Sequence, residues 1–199
     1  MAGSARRGPG APRNTVRIIA GEWRSRRLEF PERGTLRPTP DRVRETVFNW
    51  LAPYLPGAHC LDLFAGSGAF GFEALSRGAA RAVLVERDAA AAAALRANAE
   101  RLAAAGAEIV EADALSYLTG AAGPFDIVFL DPPYASGLLV PCLDRLTAGG
   151  WLAPTALVYI EAREGELPPL PAGWQRARSK TAGQVGYHLA RIRPDEELS

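Results

Sequence analysis

A four-residue segment, Asp131-Pro132-Pro133-Tyr134, follows the apolar run 126–130 and combines residue types that suit work on a nucleobase amine. The two prolines fix the backbone and remove two N–H donors, so neighbouring carbonyl groups stay free to accept hydrogen bonds. The Asp131 carboxylate and the Pro132 carbonyl can hold both hydrogens of an exocyclic amino group, whose lone pair is otherwise delocalised into the base. Tyr134 offers a flat face to a base that has left its stack. The alternative interpretation is a turn that only ends a strand.

The second segment is a glycine-rich loop in which Gly66, Gly68 and Gly71 match the dinucleotide-binding pattern G-x-G-x-x-G. A NAD site would place a pyrophosphate at the start of the following helix. Asp62, four residues before Gly66, is awkward beside a pyrophosphate but would attract the sulfonium and ammonium groups of S-adenosylmethionine. Glu86 ends the next predicted strand and suits a ribose diol with either ligand. The loop therefore predicts S-adenosylmethionine binding, and NAD binding or an empty tight turn remain as alternatives.

A further acidic residue, Asp113, follows the third predicted strand and has two possible roles. Its carboxylate could accept a hydrogen bond from an adenine amino group at the same sheet edge. It could instead cap the helix predicted over 114–118.

The elements that must position these residues alternate between strand and helix from residue 59 onward. This repetition predicts an α/β fold with an open, twisted, mostly parallel Rossmann-like sheet and helices on both faces. Since such sheets bind ligands at the carboxyl ends of their strands, both segments are expected at one edge. The predicted strands cover 59–64, 82–86, 108–111, 126–130 and 157–161, and the predicted helices cover 69–77, 89–105, 114–118 and 138–146. A C-terminal antiparallel pair over 174–179 and 187–192 is joined by Gly183 and Gly186.

The N-terminal quarter has a different pattern. A short β-hairpin is predicted over 16–19 and 27–30, and a helix begins at Pro40-Asp41 and ends near Pro53. The helical spacing of its apolar residues predicts a core-facing side formed by Val43, Val47, Phe48 and Leu51. The predicted organisation is a disordered basic tail (1–14), a hairpin and helix extension (15–53) and the α/β domain (54–194).

Composition excludes several classes of protein. The 199 residues are 48% hydrophobic, which is enough for a core, and contain no apolar run of about 18 residues that could span a membrane. Two distant cysteines, Cys60 and Cys142, exclude a disulfide scaffold or a cysteine-rich zinc site and fit a reducing cytoplasm. We predict that both are buried as small apolar residues. With only His59 and His188 besides, no metal site is expected.

The net charge of +1 conceals an asymmetry along the chain. Residues 1–50 contain eleven arginines and five acidic residues, whereas the remainder contains twelve basic and seventeen acidic residues. A basic N-terminal end on an acidic body indicates a polyanionic partner. Beyond the tail, Arg24, Arg26 and Arg27 on the hairpin are the predicted phosphate contacts, unless they only protect an edge strand from aggregation.

Together these segments resemble the RsmD-type bacterial 16S ribosomal RNA guanine-N2 methyltransferases, which have the class I S-adenosylmethionine-dependent fold. The similarity spans about 16–192. The segments that carry the resemblance are 17–23 (RIIAGEW), 36–51 (LRPTPDRVRETVFNWL), 61–68 (LDLFAGSG) and 131–134 (DPPY). The segment 36–51 is the most specific, because DNA adenine-N6 enzymes share the Asp-Pro-Pro-Tyr turn.

The resemblance implies the role of each matched residue. Asp62, Gly66 and Gly68 would surround the methionine part of the donor, Glu86 would bind its ribose, and Asp113 its adenine. Thr39 and Arg42 would close the donor pocket from the N-terminal side. The predicted donor-binding set is Thr39, Arg42, Asp62, Phe64, Gly66, Gly68, Glu86, Asp113 and Ala114, and the predicted catalytic set is Asp131, Pro132 and Tyr134.

The resemblance implies that the substrate is 16S rRNA within the small ribosomal subunit. We expect the enzyme to be a cytoplasmic monomer that needs no metal. Three other classes remain open. A DNA or RNA adenine-N6 methyltransferase shares the catalytic turn, although the chain has little room for a DNA-reading domain. A NAD oxidoreductase shares the glycines, although nothing after residue 150 is typical of a catalytic domain. A non-catalytic RNA-binding module would not need Asp62, Glu86 and Asp131 together.

Overall fold

A computed structural model describes residues 13–31, 39–121, 123–134 and 136–192 of the chain. The strands are β1 (Arg13–Arg17), β2 (Arg27–Pro31), β3 (His59–Asp62), β4 (Arg81–Glu86), β5 (Ala107–Glu111), β6 (Phe125–Leu130), β7 (Leu152–Arg163), β8 (Trp174–Ala182) and β9 (Val185–Ile192). The α-helices are α1 (Asp41–Leu51), α2 (Ala69–Ser76), α3 (Ala89–Leu102), α4 (Ala114–Tyr117) and α5 (Leu139–Ala148), and a single 3-10 turn, Ala52–Tyr54, follows α1.

The main sheet has seven strands in the order β5-β4-β3-β6-β7-β9-β8. Neighbours from β5 to β7 are parallel, whereas β9 pairs antiparallel with both β7 and β8. The chain leaves β3 towards β4 and β5 and then returns to add β6 on the other side of β3. This reversal opens a crevice at the carboxyl ends of β3 and β6, where open α/β sheets bind ligands. The predicted fold class is confirmed.

Several predicted boundaries need correction. β7 extends from Leu152 to Arg163, because its pairing with β6 and β9 continues well beyond the apolar stretch that marks it in the sequence. Helix α3 ends at Leu102, since Ala103 adopts a left-handed conformation with φ of 52°. Gly186 is part of β9 and does not lie in the turn. The predicted tail lies outside the described residues except for Arg13 and Asn14, which begin β1.

Side chains from the two sheet faces form two cores. On one face, the hairpin and helices α1, α2 and α3 cover a cluster that includes Phe48, Phe70 and Phe129. The ring centroids of Phe70 and Phe129 are 5.1 Å apart, directly beneath the ends of β3 and β6. On the other face, α4 and α5 pack around the fully buried Trp151. Cys60 and Cys142 are both buried free thiols, as predicted. Among the described residues, no helix has the length and apolar character needed to cross a bilayer.

A buried ion pair attaches the N-terminal segment to this core. The carboxylate of Glu73 on α2 accepts the backbone N–H groups of Ile19 and Ala20 at 2.6 and 3.0 Å. Arg44 of α1, which is completely buried, lies 3.7 Å from the same carboxylate and donates to the backbone carbonyls of Arg17 and Thr39. The extension is therefore held by hydrogen bonds and opposite charges as well as by apolar packing.

The turn between β1 and β2 fits closely against the C-terminal end of α2. The N–H of Glu22 donates to the Ser76 carbonyl at 2.8 Å, and the Ser76 hydroxyl donates to the Ala20 carbonyl at 2.6 Å. Gly21 has φ of 83°, and a Cβ atom there would lie 1.8 Å from the Ser76 carbonyl oxygen. Only glycine fits this contact.

We therefore expect Gly21→Ala to destabilise the protein much more than Gly57→Ala. Gly57 also has a positive φ, 76°, but an added Cβ would meet nothing within 4 Å. Conformational strain alone costs about 1–2 kcal/mol, which is the expected loss for Gly57→Ala. Gly21→Ala must also displace the α2 backbone. The free energy of unfolding, measured by urea denaturation, should therefore fall at least about twice as much as in Gly57→Ala. Equal losses would show that the turn does not depend on this close approach.

Candidate active site

The glycine loop is held in shape by two carboxylates. Asp62, at the end of β3, accepts the backbone N–H of Gly71 at 3.1 Å, so it joins the strand to the first turn of α2. Glu86, at the end of β4, accepts the N–H of Gly66 at 2.9 Å and the N–H of Asp88 at 2.8 Å. Gly68 precedes α2 with φ of 77°, which other residues rarely adopt. The loop therefore presents its backbone to the crevice in one conformation.

Above this loop lies a cavity that brings the two predicted segments together. Gly66 from the glycine loop and Asp131 from the catalytic turn both line it, and Thr39 does so from the N-terminal side. The lining residues are Phe30, Pro31, Thr39, Phe64, Ala65, Gly66, Ser67, Ala69, Phe70, Glu86, Asp88, Ala91 and Asp131. All of its charged side chains, those of Glu86, Asp88 and Asp131, are acidic, and no basic side chain among the described residues lines it. The cavity is thus suited to a ligand with positive charge and aromatic or apolar surface.

Some predicted donor-binding residues lie away from this lining. Asp62 is buried beneath the loop, and Gly68 packs against Phe72. Asp113 accepts the N–H groups of Leu115 and Ser116 at 2.9 and 3.1 Å, so it caps α4, the second of its two predicted roles. Ala114 is buried in that helix, and Arg42 is exposed on α1. None of these five is among the described residues that line the cavity.

The Asp-Pro-Pro-Tyr turn separates this cavity from a second one. The second cavity lies between the turn, the start of α5 and the end of β7, and it is lined by Pro132, Tyr134, Leu139, Glu161 and Arg163 among others. The Tyr134 side chain is 43% exposed, and the Arg163 guanidinium carbon lies 6.0 Å from its ring centroid. A flat aromatic surface is therefore available beside Asp131.

A buried carboxylate that the sequence analysis missed, Glu161, connects the parts of this turn. It accepts hydrogen bonds from the Tyr134 and Tyr159 hydroxyls, both at 2.8 Å, and from the Thr39 hydroxyl at 3.1 Å. The Thr39 hydroxyl oxygen also lies 3.3 Å from the Asp131 carboxylate. The signal available in the sequence was an acidic residue at the carboxyl end of a predicted strand. In the structure this strand, β7, pairs with β6, and Asp131 directly follows β6.

Burial and neighbouring charges act strongly on two of these carboxyl groups. Burial raises the pKa of Asp62 to about 7, and the N–H groups of Gly71 and Phe64 offset part of that effect. Burial also raises the pKa of Asp131 well above its usual range, and the charges of Glu161 and Asp62 raise it further. The Thr39 hydroxyl has one hydrogen, so it can donate to Glu161 while accepting from a protonated Asp131. A cation in the cavity would favour the ionised form of Asp131.

The fold and this crevice define a methyltransferase. The solved structure described as "Putative methyltransferase yhhF from Escherichia coli" is 48% identical and has a TM-score of 0.86, with 92% of this chain and all of that chain covered.

The family model described as "Conserved hypothetical protein 95" matches residues 16–191, and the chain belongs to this family. A relative from Escherichia coli (strain K12), "Ribosomal RNA small subunit methyltransferase D", is 51% identical, covering 87% of this chain and 88% of the relative. The protein of that name from Haemophilus influenzae is 43% identical, with 87% and 92% covered.

The raised pKa of Asp62 makes folding stability depend on pH. Between about pH 4 and 7 the folded chain retains a proton at Asp62 that the unfolded chain releases, so stability falls as the pH rises through this range. In Asp62→Asn, the amide oxygen can still accept a hydrogen bond from the Gly71 N–H, but the side chain no longer binds or releases a proton in this pH range. We expect the loss of unfolding free energy between pH 5 and pH 8, measured by urea denaturation without ligand, to be smaller in Asp62→Asn than in the wild type. An identical loss in both proteins would contradict the assignment.

Proposed function

We propose that this chain transfers a methyl group from S-adenosylmethionine to the exocyclic N2 of a guanine in the 16S rRNA of the small ribosomal subunit. The observation that carries this proposal is the single cavity at the β3/β6 crevice, which Gly66 and Asp131 both line. A donor held by the glycine loop and a base held by the catalytic turn can meet only if those two segments share a space. The names of the 51% and 43% identical relatives support small-subunit rRNA as the substrate.

The lining of the cavity fits the proposed donor better than it fits NAD. Phe64 and Phe70 offer apolar surface, Glu86 and Asp88 provide negative charge, and Asp131 can ionise beside a bound cation. That charge favours a sulfonium and disfavours a pyrophosphate, which a NAD site must accommodate. Glu86 can accept from ribose hydroxyls while it holds Gly66 and Asp88, since each carboxylate oxygen has two acceptor positions. When bound, the donor supplies an electrophilic methyl group on a positively charged sulfur.

The second cavity is the proposed location of the target base. Tyr134 offers its ring for stacking, worth roughly 1–3 kcal/mol per base. The Asp131 carboxylate and the Pro132 carbonyl accept the two N2 hydrogens and direct the nitrogen lone pair towards the donor cavity. As the bond from N2 to the methyl carbon forms, the sulfur–carbon bond breaks and S-adenosylhomocysteine leaves; N2 becomes acidic and passes one proton to the Asp131 carboxylate that accepts its hydrogen bond. Asp131 therefore acts mainly by orienting the amine, and a strong base is not required.

Replacing Asp131 should affect the chemical step much more than donor binding. We expect Asp131→Ala to lower the single-turnover rate on small ribosomal subunits at least about 100-fold, because a preorganised polar contact at the reacting nitrogen is lost. Affinity for S-adenosylhomocysteine, which lacks the sulfonium charge, should stay close to the wild-type value in calorimetry. Near-normal turnover in this variant would remove Asp131 from the mechanism.

The same assay tests which base is modified. Nucleoside mass spectrometry of the methylated 16S rRNA should detect N2-methylguanosine. Detection of N6-methyladenosine instead would favour the adenine-N6 alternative, which shares the Asp-Pro-Pro-Tyr turn. Absence of any methylated nucleoside would refute the proposed activity.

Glu161 is proposed as a positioning residue that acts through Tyr134 and Asp131. Glu161→Gln removes the negative charge that raises the pKa of Asp131, so the acidic limb of the pH–rate profile should move to lower pH. It also weakens the contact with the Tyr134 hydroxyl, so KM for the RNA substrate should rise. Tyr134→Phe should raise KM similarly, and Tyr134→Ala should do so more strongly because it loses the ring as well.

Tyr159→Phe is the matched control for Glu161→Gln. It removes another 2.8 Å hydrogen bond to the same carboxylate but leaves the charge of Glu161 and its contact with Tyr134 in place. The acidic limb should then remain close to its wild-type position. If Glu161→Gln and Tyr159→Phe change the profile equally, Glu161 has only a structural role.

A further inference from the structure

The exposed edge strand β8 carries three basic residues, Arg176, Arg178 and Lys180. Among the residues that the structure describes, this strand pairs only with β9, and residues 175–182 are all exposed. Within the described part of the chain, none of these three side chains has an acidic group at salt-bridge distance. Among the described residues, no carboxylate therefore forms a close ion pair with these charges.

The register of β8 against β9 places two of these residues on the face that α1 covers. Arg178 lies opposite Leu189 and Lys180 opposite Tyr187, and both partners belong to the core on that face. The Tyr187 ring stacks on Trp50 of α1 with centroids 5.6 Å apart. Directly opposed residues of an antiparallel pair point to the same side of a sheet, so Arg178 and Lys180 flank α1.

A β-bulge directs Arg176 to the other face. The register shifts between Arg176 and Arg178, which places Arg176 opposite Ala190 in the second core. The pKa of His188 is lowered by burial and by the charge of Arg176. Arg176 is therefore a natural control: it lies on the same strand but faces away from α1.

The same register connects this basic pair to the catalytic turn. Lys180, Tyr187 and Glu161 form one row across β8, β9 and β7, so Lys180 is two strand spacings, about 10 Å, from the strand position of Glu161. Arg163, two residues beyond Glu161, lies over the Tyr134 ring. Positive charge thus continues from Arg178 through Lys180 to the edge of the proposed base site.

Two arginines at the opposite edge of the sheet differ in this respect. Arg81 of β4 pairs with Glu108, and Arg96 of α3 lies 3.3 Å from Glu111. Basic side chains next to the catalytic turn, without an ion-pair partner among the described residues, are suited to bind a phosphate backbone.

We propose that Arg178 and Lys180 bind phosphates of the 16S rRNA strand that carries the target guanine into the active site. This proposal rests on the proposed function, and it adds the surface along which the RNA runs. The alternative role for a charged edge strand is protection against strand-to-strand aggregation, which involves no phosphate.

The test compares charge-matched double variants in binding and in catalysis. For binding to a 16S rRNA transcript, the slope of the logarithm of the binding constant against the logarithm of the salt concentration should become shallower in Arg178→Gln/Lys180→Gln. The expected change in this slope is about one for each residue replaced. It should raise KM for small subunits and leave S-adenosylhomocysteine affinity unchanged. Arg81→Gln/Arg96→Gln, which removes two charges from the opposite edge, and the single variant Arg176→Gln should leave the salt slope at the wild-type value.

The outcomes separate this surface from the proposed function. If wild-type protein methylates small subunits but the Arg178→Gln/Lys180→Gln variant retains the full salt slope, the surface is wrong and the function stands. If the variant loses binding to subunits but not to the free transcript, the partner is a ribosomal protein and the phosphate assignment is overturned. If wild-type protein methylates no RNA, the proposed function itself fails.

Discussion

The buried pairing of Glu73 with Arg44 is the contact on which the rest of the site depends. A carboxylate and a guanidinium with no exposure need polar partners in a core, and breaking such a pair typically costs about 3–5 kcal/mol. Glu73 accepts the backbone N–H groups of Ile19 and Ala20 and pairs with Arg77 at 2.7 Å, while Arg44 donates to Asp41 and to the carbonyls of Arg17 and Thr39. These contacts hold the segment against α2 and place Thr39 at the cavity.

This constraint makes the N-terminal segment part of the active site. Phe30 and Pro31 from β2 and Thr39 before α1 form one wall of the cavity above the glycine loop. The Thr39 hydroxyl lies between the Asp131 and Glu161 carboxyl groups, where it can accept a hydrogen bond from a protonated Asp131 and donate one to Glu161. Three acidic residues, Glu86, Asp88 and Asp131, line this crevice, and no basic side chain among the described residues does so.

Much of the architecture could be predicted because it depends on local patterns. The alternation of apolar strands and capped helices predicted the parallel sheet. Since such sheets bind ligands at the carboxyl ends of their strands, the glycine loop and the Asp-Pro-Pro-Tyr turn were expected at one edge. Asp88 caps α3 through the Ala91 N–H at 2.9 Å, as its position before an alanine-rich run predicted. Strand ends were less predictable, because the length of β7 follows from pairing with two neighbouring strands rather than from its own residues.

By itself, the sequence determined that the glycine loop and the Asp-Pro-Pro-Tyr turn meet at the crevice, since motifs at the carboxyl ends of adjacent parallel strands approach each other. Only the tertiary structure decided how these groups are held and charged. Glu161, distant in sequence from Thr39 and Tyr134, contacts both, and Asp113 accepts N–H groups of the α4 backbone. Such roles depend on burial and on contacts between remote segments, which spacing along a chain does not encode.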